Sequence, residues 1–239
     1  MKNKMKVEVW SDIMCPFCYI GKRRFETALK SFEDNDQIEL VWKSYQLAPD
    51  LKTQPNKSIH EFLAEHKGTS IDEATGMNNQ ISQMAAQVGL TFDYDNMVVA
   101  NSFNAHQFAH FAKQFGKQNE AEELLFQAHF TDGKNIDDIA VLVALGAALD
   151  LDTAALKKAL ENNSYSDNVK EDIVEAQQIG VRGVPFFVFD RKYAASGAQS
   201  EDVFLQTIEK SFQEWKEAQV ENPIEVIDGQ SCTLDENCE

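Results

Sequence analysis

Two cysteines separated by two residues, Cys15 and Cys18, lie between a strand pattern and a helix pattern, and this placement constrains the fold more than any other feature. Residues 7–10 alternate in character, which predicts a short strand. Residues 25–32 carry apolar side chains at helical spacing, and residues 38–42 alternate again. The chain therefore begins with a strand–helix–strand unit, and such units usually pair their strands in parallel through a right-handed crossover.

The strand pattern returns only near the end of the chain. Residues 184–189 form a compact apolar run that suits a buried strand, and residues 193–196 suit the returning strand of a hairpin. Between about residues 58 and 163, helical patterns follow one another without a convincing strand. Because the strands lie at the two ends, the sequence predicts an α/β domain that is interrupted by a large all-helical insertion.

The expected boundaries follow from this pattern. Residues 1–56 and 166–220 form the discontinuous α/β domain, residues 57–165 form the helical insertion, and residues 221–239 form an acidic tail. An insertion of this size is far longer than an ordinary loop.

Composition and charge exclude several classes of partner. The chain has 239 residues and a formal net charge of −17, so nucleic acids and anionic membranes are repelled. No apolar run reaches the roughly eighteen residues that a membrane-spanning helix needs. The first ten residues lack the apolar segment and cleavage site of a secretory signal. We expect a cytoplasmic protein that binds neither nucleic acid nor membranes, and the sequence leaves its oligomeric state open.

The four cysteines point to chemistry rather than to structural cross-links. Cys15, Cys18, Cys232 and Cys238 form two close pairs at opposite ends of the chain. A large cytosolic protein does not need disulfides for stability, and its compartment would reduce them. Two such pairs therefore indicate redox activity or metal binding.

The position of Cys15 indicates which thiol attacks. The nucleophile is a thiolate, and the N–H groups and the dipole at a helix N-terminus favour negative charge. Cys15 stands at the predicted start of the helix, and Pro16 suits the first turn because its missing N–H costs nothing there. Cys18 lies one turn further on and can attack a mixed disulfide on Cys15. We expect Cys15 to be the exposed nucleophile and Cys18 to be the resolving thiol.

The Cys-x-x-Cys motif has other interpretations. A single Cys-x-x-Cys can be half of a zinc site, but the spacing of Cys232 and Cys238 is unusual for the other half. Buried cysteines also serve as small apolar side chains. His106 and His110 share a helix face, but Gln107 stands where the common zinc motif has glutamate. The strand–Cys-Pro-x-Cys–helix context favours redox chemistry, and we expect no metal site.

A proline before the later apolar strand supplies a second motif. Proline cannot occupy the middle of a hydrogen-bonded ladder, so Pro185 is expected at the first position of that strand. With the cysteine motif upstream, we predict a cis Val184–Pro185 bond that packs against the cysteines. The Val184 backbone could then pair with a bound peptide as an added strand. An ordinary trans proline that opens a strand is the alternative.

In combination, the motifs resemble those of the DsbA-like, FrnE-type thiol oxidoreductases. The resemblance covers about residues 5–218, in order. It depends on Ser11-Asp12-Ile13-Met14-Cys15-Pro16-Phe17-Cys18-Tyr19-Ile20-Gly21-Lys22, Asn101-Ser102-Phe103-Asn104-Ala105-His106, Phe130-Thr131-Asp132-Gly133-Lys134, Gly183-Val184-Pro185-Phe186-Phe187-Val188 and Ser196-Gly197-Ala198-Gln199.

This resemblance implies a thioredoxin-like fold with a helical insertion, and disulfide exchange or isomerisation as the activity. The implied partners are protein or small-molecule thiols and disulfides. No cofactor is expected, and glutathione is a candidate co-substrate. The N–H groups of the helix start after residues 196–199 could hold a carboxylate of glutathione or of a peptide, and an ordinary helix start is the favoured alternative. The candidate catalytic residues are Cys15, Cys18 and Pro185, and the candidate substrate-binding residues are Val184, Pro16, Phe17, Asn101 and His106.

Related families suggest alternatives. Periplasmic DsbA commonly has histidine where Phe17 stands. The kappa-class glutathione transferases and 2-hydroxychromene-2-carboxylate isomerases share the insertion but typically have serine in place of the nucleophilic cysteine. A glutathione-using isomerase or transferase is therefore one alternative, and a non-catalytic peptide-binding module is another. Cys232 and Cys238 resemble a second redox pair of some FrnE-like proteins, and two incidental thiols are the equal alternative.

Overall fold

A computed structural model describes residues 4–220, and this part of the chain holds four strands and nine α-helices. In chain order they are β1 (Met5–Ser11), α1 (Pro16–Ser31), β2 (Ile38–Ser44), α2 (Ile59–Lys67), α3 (Ile71–Ala86), α4 (Phe103–Lys113), α5 (Gln118–Phe130), α6 (Ile139–Ala148), α7 (Thr153–Glu161), α8 (Ser166–Gln178), β3 (Phe186–Phe189), β4 (Tyr193–Ser196) and α9 (Glu201–Val220). None of the described helices is both long enough and apolar enough to span a membrane.

The four strands form one sheet in the order β2-β1-β3-β4. The first two strands pair in parallel, from Met5 opposite Ile38 to Ser11 opposite Ser44, as the strand–helix–strand pattern predicts. The β1–β3 and β3–β4 pairs are antiparallel. Strands from both ends of the chain thus meet in one sheet, and the chain between β2 and β3 contains the helical insertion of a thioredoxin-like fold.

The sheet is buried on both faces because helices pack against each face. One face packs against α1 and α9, where Phe25 stacks on Phe187 with ring centroids 5.3 Å apart. On the other face Trp10 packs against α8, and its indole N–H donates to the Asp172 carbonyl oxygen over 2.9 Å. Burial on both faces explains why β3 is apolar over its whole length.

The core of the insertion extends to the start of α1. Tyr19 stacks on Phe126 of α5 with ring centroids 4.9 Å apart and an interplanar angle of 9°. Cys15, Cys18 and Ile20 belong to the same apolar cluster as the helices of the insertion. The helical insertion is therefore packed directly onto the cysteine motif.

A buried lysine strengthens this contact. Lys22 of α1 is only 2% exposed, and its ammonium group lies 2.7 Å from Glu123 of α5 and 2.5 Å from Glu26. Arg23 also pairs with Glu123, which accepts a hydrogen bond from the Tyr19 hydroxyl as well. A buried ammonium without its carboxylates would be costly, so these pairs fix how α5 sits on α1.

The prediction of a buried helix face in α4 is wrong for Phe115. The spacing of Phe108, Ala112 and Phe115 predicts that all three lie on one buried face of a helix. Phe108 and Ala112 are buried, but α4 ends at Lys113 and Phe115 is 52% exposed. The chain leaves the helix through Gly116, which has a left-handed backbone with φ of 68°, so Phe115 no longer follows the helical spacing.

The close approach of α1 to the Pro185 loop depends on Gly21. A Cβ atom at this position would lie 3.0 Å from Pro185 Cγ and 3.5 Å from the Cα atom of Ala198. Gly76 of α3 is also inside a helix, but no atom lies within 4 Å of its hypothetical Cβ. The two glycines are therefore a matched pair that separates helix propensity from packing.

We predict that Gly76→Ala stabilises the protein by about 0.5–1 kcal/mol, because alanine is the better helix former. Gly21→Ala should lose this gain and become destabilising, so that the two variants differ by about 1 kcal/mol or more. Urea unfolding of both variants measures the difference in the free energy of unfolding. Equal stabilisation of both variants would show that α1 does not need the close contact with Pro185.

Candidate active site

Cys15 occupies the N-cap position of α1, and Pro16 is the first residue of the helix. The Cys15 backbone N–H donates to the Asp12 carbonyl oxygen over 2.9 Å, which forms the tight turn between β1 and α1. No side chain caps the helix, so its N–H groups and the positive end of its dipole face the Cys15 residue. This is the local arrangement that the sequence predicts.

The loop before β3 brings Val184 and Pro185 to this sulfur. The Cys15 thiol donates to the Val184 carbonyl oxygen over an S···O distance of 3.5 Å. The Val184–Pro185 peptide bond is cis, in agreement with the sequence prediction. The Pro185 carbonyl in turn accepts the Gly197 N–H over 2.8 Å, which holds the loop against the end of β4.

Both cysteines are free thiols, and Cys18 is buried completely. Burial raises the pKa of Cys18 well above its ordinary value, and the neighbouring Cys15 raises it further. The Ser11 side chain and the Asp12 backbone offset only part of this effect. Cys18 is therefore a neutral thiol at physiological pH.

The expectation of an exposed Cys15 is wrong, because this residue is only 4% exposed. The insertion packs over the start of α1 and covers it. Cys15 instead lines a cavity of about 330 Å³ between the active-site turn and the insertion, together with Pro16 and Phe17. Phe17 is 37% exposed and Leu47, also a lining residue, is 50% exposed. A molecule that enters this cavity from solvent therefore passes Phe17 and Leu47 before it meets Cys15.

Behind the cavity, a buried carboxylate organises the turn. The Asp12 carboxylate accepts N–H groups from Met14 over 3.2 Å and from Leu47 over 2.7 Å. His106 of α4 places its Nε2 atom 3.5 Å from Asp12 Oδ1, which is an ion-pair distance longer than a good hydrogen bond. The sequence gives Asp12 no separate role, and only its position three residues before Cys15 marks it.

The charges of Asp12 and His106 support each other. Burial alone raises the pKa of Asp12, but interaction with His106 and the Leu47 N–H outweighs burial, so this pKa lies below its usual value. Burial alone lowers the pKa of His106, but Asp12 outweighs it, and this pKa lies above its usual value. The two residues form a buried ion pair between the active-site turn and α4.

Asn101 and His106 do not line the cavity, although both were expected at the substrate groove. The Asn101 side-chain N–H groups donate to the carbonyl oxygens of Pro49 and Leu51, over 3.1 and 2.8 Å. Its side-chain oxygen accepts the Phe103 N–H over 2.8 Å at the start of α4. Asn101 therefore holds the loops around the site with its amide, whereas His106 pairs with Asp12 through a buried nitrogen that makes no hydrogen bond.

His106 and His110 serve different carboxylates. His110 Nε2 lies 3.0 Å from Asp172 of α8 and 3.1 Å from the Ser44 hydroxyl at the end of β2. The two histidines thus connect α4 to two different parts of the α/β domain, the turn after β1 and helix α8. Within residues 4–220, no group of three His, Cys, Asp or Glu side chains is arranged to hold a metal ion.

Two further titratable residues near the site escaped the sequence analysis. Glu122 and His129 of α5 are 3% and 2% exposed. Burial raises the pKa of Glu122 to about 7 and lowers the pKa of His129 to about 4. Their signal is visible in the sequence, since both share the apolar helical spacing of Leu125 and Phe126 on α5.

We predict that Glu122→Gln makes the protein more stable at neutral and alkaline pH. The pKa of Glu122 is about 7 in the folded state, against an ordinary value of 4.5, so ionisation of the buried group destabilises the fold progressively as the pH rises between these values. Relative to wild type, the free energy of unfolding of the variant should rise by on the order of 2–3 kcal/mol from pH 5 to pH 8.

Urea unfolding at several pH values measures this change. The control is Glu120→Gln, which makes the same substitution at an exposed position of the same helix. If both variants follow the pH dependence of wild type in parallel, Glu122 does not titrate near neutral pH.

Comparisons with known proteins agree with this geometry. The uncharacterized protein YwbO from Bacillus subtilis (strain 168) is 29% identical over 208 residues, which cover 84% of this chain and 94% of YwbO. The structure of the probable DsbA oxidoreductase SCO1869 from Streptomyces coelicolor matches with a TM-score of 0.82 and 34% identity, covering 98% of both chains. The cytosolic disulfide reductase DsbM from Pseudomonas aeruginosa shares the fold, with a TM-score of 0.60 and 17% identity, over 90% of this chain and 98% of DsbM.

The family model described as the DSBA-like thioredoxin domain matches residues 6–209. This match spans both halves of the sheet, the whole insertion and the first nine residues of α9. The chain therefore belongs to the DsbA-like family of thiol–disulfide oxidoreductases.

Proposed function

We propose that this protein exchanges disulfides through the Cys15–Cys18 dithiol, with Cys15 as the nucleophile. The observation that carries the proposal is the position of Cys15. Its sulfur lies at the N-terminus of α1, 3.5 Å from the Val184 carbonyl oxygen, and it lines a cavity that Cys18 does not line. A substrate can therefore contact Cys15 first, and Cys18 lies buried one helical turn further along α1.

The proposed reaction has two displacement steps. The Cys15 thiolate attacks one sulfur of a substrate disulfide, which forms a mixed disulfide and releases the other substrate sulfur as a thiolate. Cys18 then loses its proton and attacks the Cys15 sulfur, which releases the second substrate thiol and leaves a Cys15–Cys18 disulfide. Two electrons pass from the protein to the substrate, and the reverse sequence oxidises a substrate dithiol.

The burial of Cys18 favours isomerisation in addition to simple reduction. Its raised pKa keeps it protonated, so the second step is slow at neutral pH. A slow second step prolongs the mixed disulfide and gives another thiol of a protein substrate time to attack it. An extended substrate segment would pair with the backbone at Val184 while this happens.

Glutathione is the proposed thiol that returns the oxidised pair to the reduced form. The relative DsbM has been solved with GSH, which supports a glutathione-linked role for the fold. Such a role suits a cytoplasmic protein, because that compartment maintains glutathione in its reduced form. The alternative functions are a glutathione-using isomerase or transferase and a non-catalytic peptide-binding module, and the presence of Cys18 favours the dithiol reaction over both.

We predict that Cys15→Ser lowers insulin reduction to the uncatalysed rate, because no other thiol lines the cavity in the described part of the chain. In the Cys18→Ala variant, Cys15 should still attack an insulin disulfide. The mixed disulfide between Cys15 and insulin should then accumulate, because the resolving thiol is missing. Turbidity of reduced insulin and mass spectrometry of the trapped complex measure these outcomes. If Cys15→Ser retains catalysis, the dithiol proposal fails; peptide binding without any catalysis by wild type would favour the binding module.

Cys232 and Cys238 lie outside the described residues, so their role as a second redox pair stays a prediction. We expect the double variant Cys232→Ser, Cys238→Ser to turn over a protein disulfide more slowly than wild type, because a reduced tail pair would no longer donate electrons to the Cys15–Cys18 disulfide that each turnover leaves. The measurement is steady-state turnover together with the rate at which the Cys15–Cys18 pair recovers. Unchanged rates would mean that the tail thiols are incidental.

A further inference from the structure

The cavity beside Cys15 is a deep recess rather than a surface groove. Its volume of about 330 Å³ lies within the range of small-molecule sites. Its deeper wall consists of residues that are more than nine-tenths buried, namely Tyr94, Met97, Val99, His129 and Phe130. The recess therefore extends into the core of the insertion, where a small molecule fits better than a polypeptide backbone.

The wall is apolar but contains two polar atoms without a partner. Neither the Tyr94 hydroxyl nor His129 Nδ1 has a hydrogen-bond partner among the described residues. The low pKa of His129, which burial causes, keeps the imidazole neutral. Unpartnered buried polar atoms are rare in folded proteins, and two in one cavity wall indicate that the recess receives a ligand.

The charge around the cavity differs from that of the whole chain. Although the formal net charge is −17, no aspartate or glutamate is among the residues that line the cavity. Lys67, at the end of α2, lines it and is exposed. Within the described residues, no carboxylate lies within 4.0 Å of its ammonium group. An anionic group of a ligand would be attracted by Lys67 here, whereas the negative net charge of the chain would repel it over most of the remaining surface.

We propose that this cavity selects low-molecular-mass thiols and disulfides that have an apolar body and a carboxylate. The apolar body lies against Val99 and Phe130, the sulfur meets Cys15, and the carboxylate pairs with Lys67. The proposal rests on the dithiol function, since Cys15 and Cys18 supply the chemistry.

A suitable probe is dihydrolipoate, with dihydrolipoamide as its uncharged counterpart. One thiolate of dihydrolipoate attacks the Cys15 sulfur of the oxidised protein, and Cys18 leaves and takes up a proton. The second thiol of the probe then attacks its own sulfur in the mixed disulfide, which closes the lipoate ring and releases Cys15. Two electrons and two protons pass from the probe to the protein.

The experiment measures the rate at which each probe reduces the oxidised full-length protein, as a function of probe concentration. We expect saturation with dihydrolipoate and a half-saturating concentration about three- to fivefold lower than that of dihydrolipoamide, which is the size expected for one exposed ion pair. This preference should shrink at high salt because screening weakens the attraction to Lys67.

Variants separate the two parts of the site. Lys67→Gln should abolish the preference for dihydrolipoate, whereas Lys30→Gln, the same change at an exposed position of α1 that does not line the cavity, should retain it. Leu63→Trp places a larger side chain in the cavity wall and should raise the half-saturating concentration of both probes about tenfold. Reduction by 2-mercaptoethanol, which must also reach Cys15 but is uncharged and too small to fill the recess, should change much less than reduction by the two probes in every variant.

Three results would overturn the inference. One is linear, unsaturated kinetics with no preference between the probes while 2-mercaptoethanol and insulin still react, and this result would leave the proposed dithiol function intact. Another is a preference that Lys67→Gln does not change. The third is a Leu63→Trp variant that loses insulin reduction but keeps both small probes, which would assign the cavity to a side chain of a protein substrate. Failure of all thiols and of insulin to react would instead refute the dithiol function.

Discussion

The buried carboxylate of Asp12 joins three parts of the molecule that are far apart in the chain. It lies between β1 and Cys15, accepts the Leu47 N–H from the loop after β2, and pairs with His106 in the insertion. A carboxylate that is 0% exposed stays ionised only if such partners surround it. The orientation of the active-site turn relative to the insertion therefore depends on this one group, and so does the shape of the cavity that the two enclose.

Covering the cysteine motif with the insertion has chemical consequences. Burial raises the pKa of Cys18, so this thiol is neutral at physiological pH. The same cover leaves Cys15 only 4% exposed and directs access through a recess with apolar walls. The protonation of Cys18 and the burial of Cys15 thus have one physical origin, which is the packing of α5 and its neighbours onto the first turns of α1.

Local features of this protein were predictable from its sequence. The parallel β1–β2 pair, the helix that begins at Pro16, the hairpin of β3 and β4 and the cis Val184–Pro185 bond all match the sequence predictions. Phe115 was assigned to the wrong environment because a helical spacing does not reveal where the helix ends. Asn101 and His106 were expected at the substrate surface, but buried backbone and carboxylate groups use their polar atoms instead.

The sequence by itself determined the reactive motif, the order of strands and helices and the position of the proline, because side-chain periodicity and the geometry of Cys-Pro-x-Cys are properties of short segments. Only the tertiary structure decided that Cys15 is covered, that Glu122 and His129 are buried near the site and that Lys67 borders the recess. These properties depend on which helix faces pack together, and some of these faces are more than a hundred residues apart in sequence. A local pattern states that a face is apolar, but it does not state which other face will cover it.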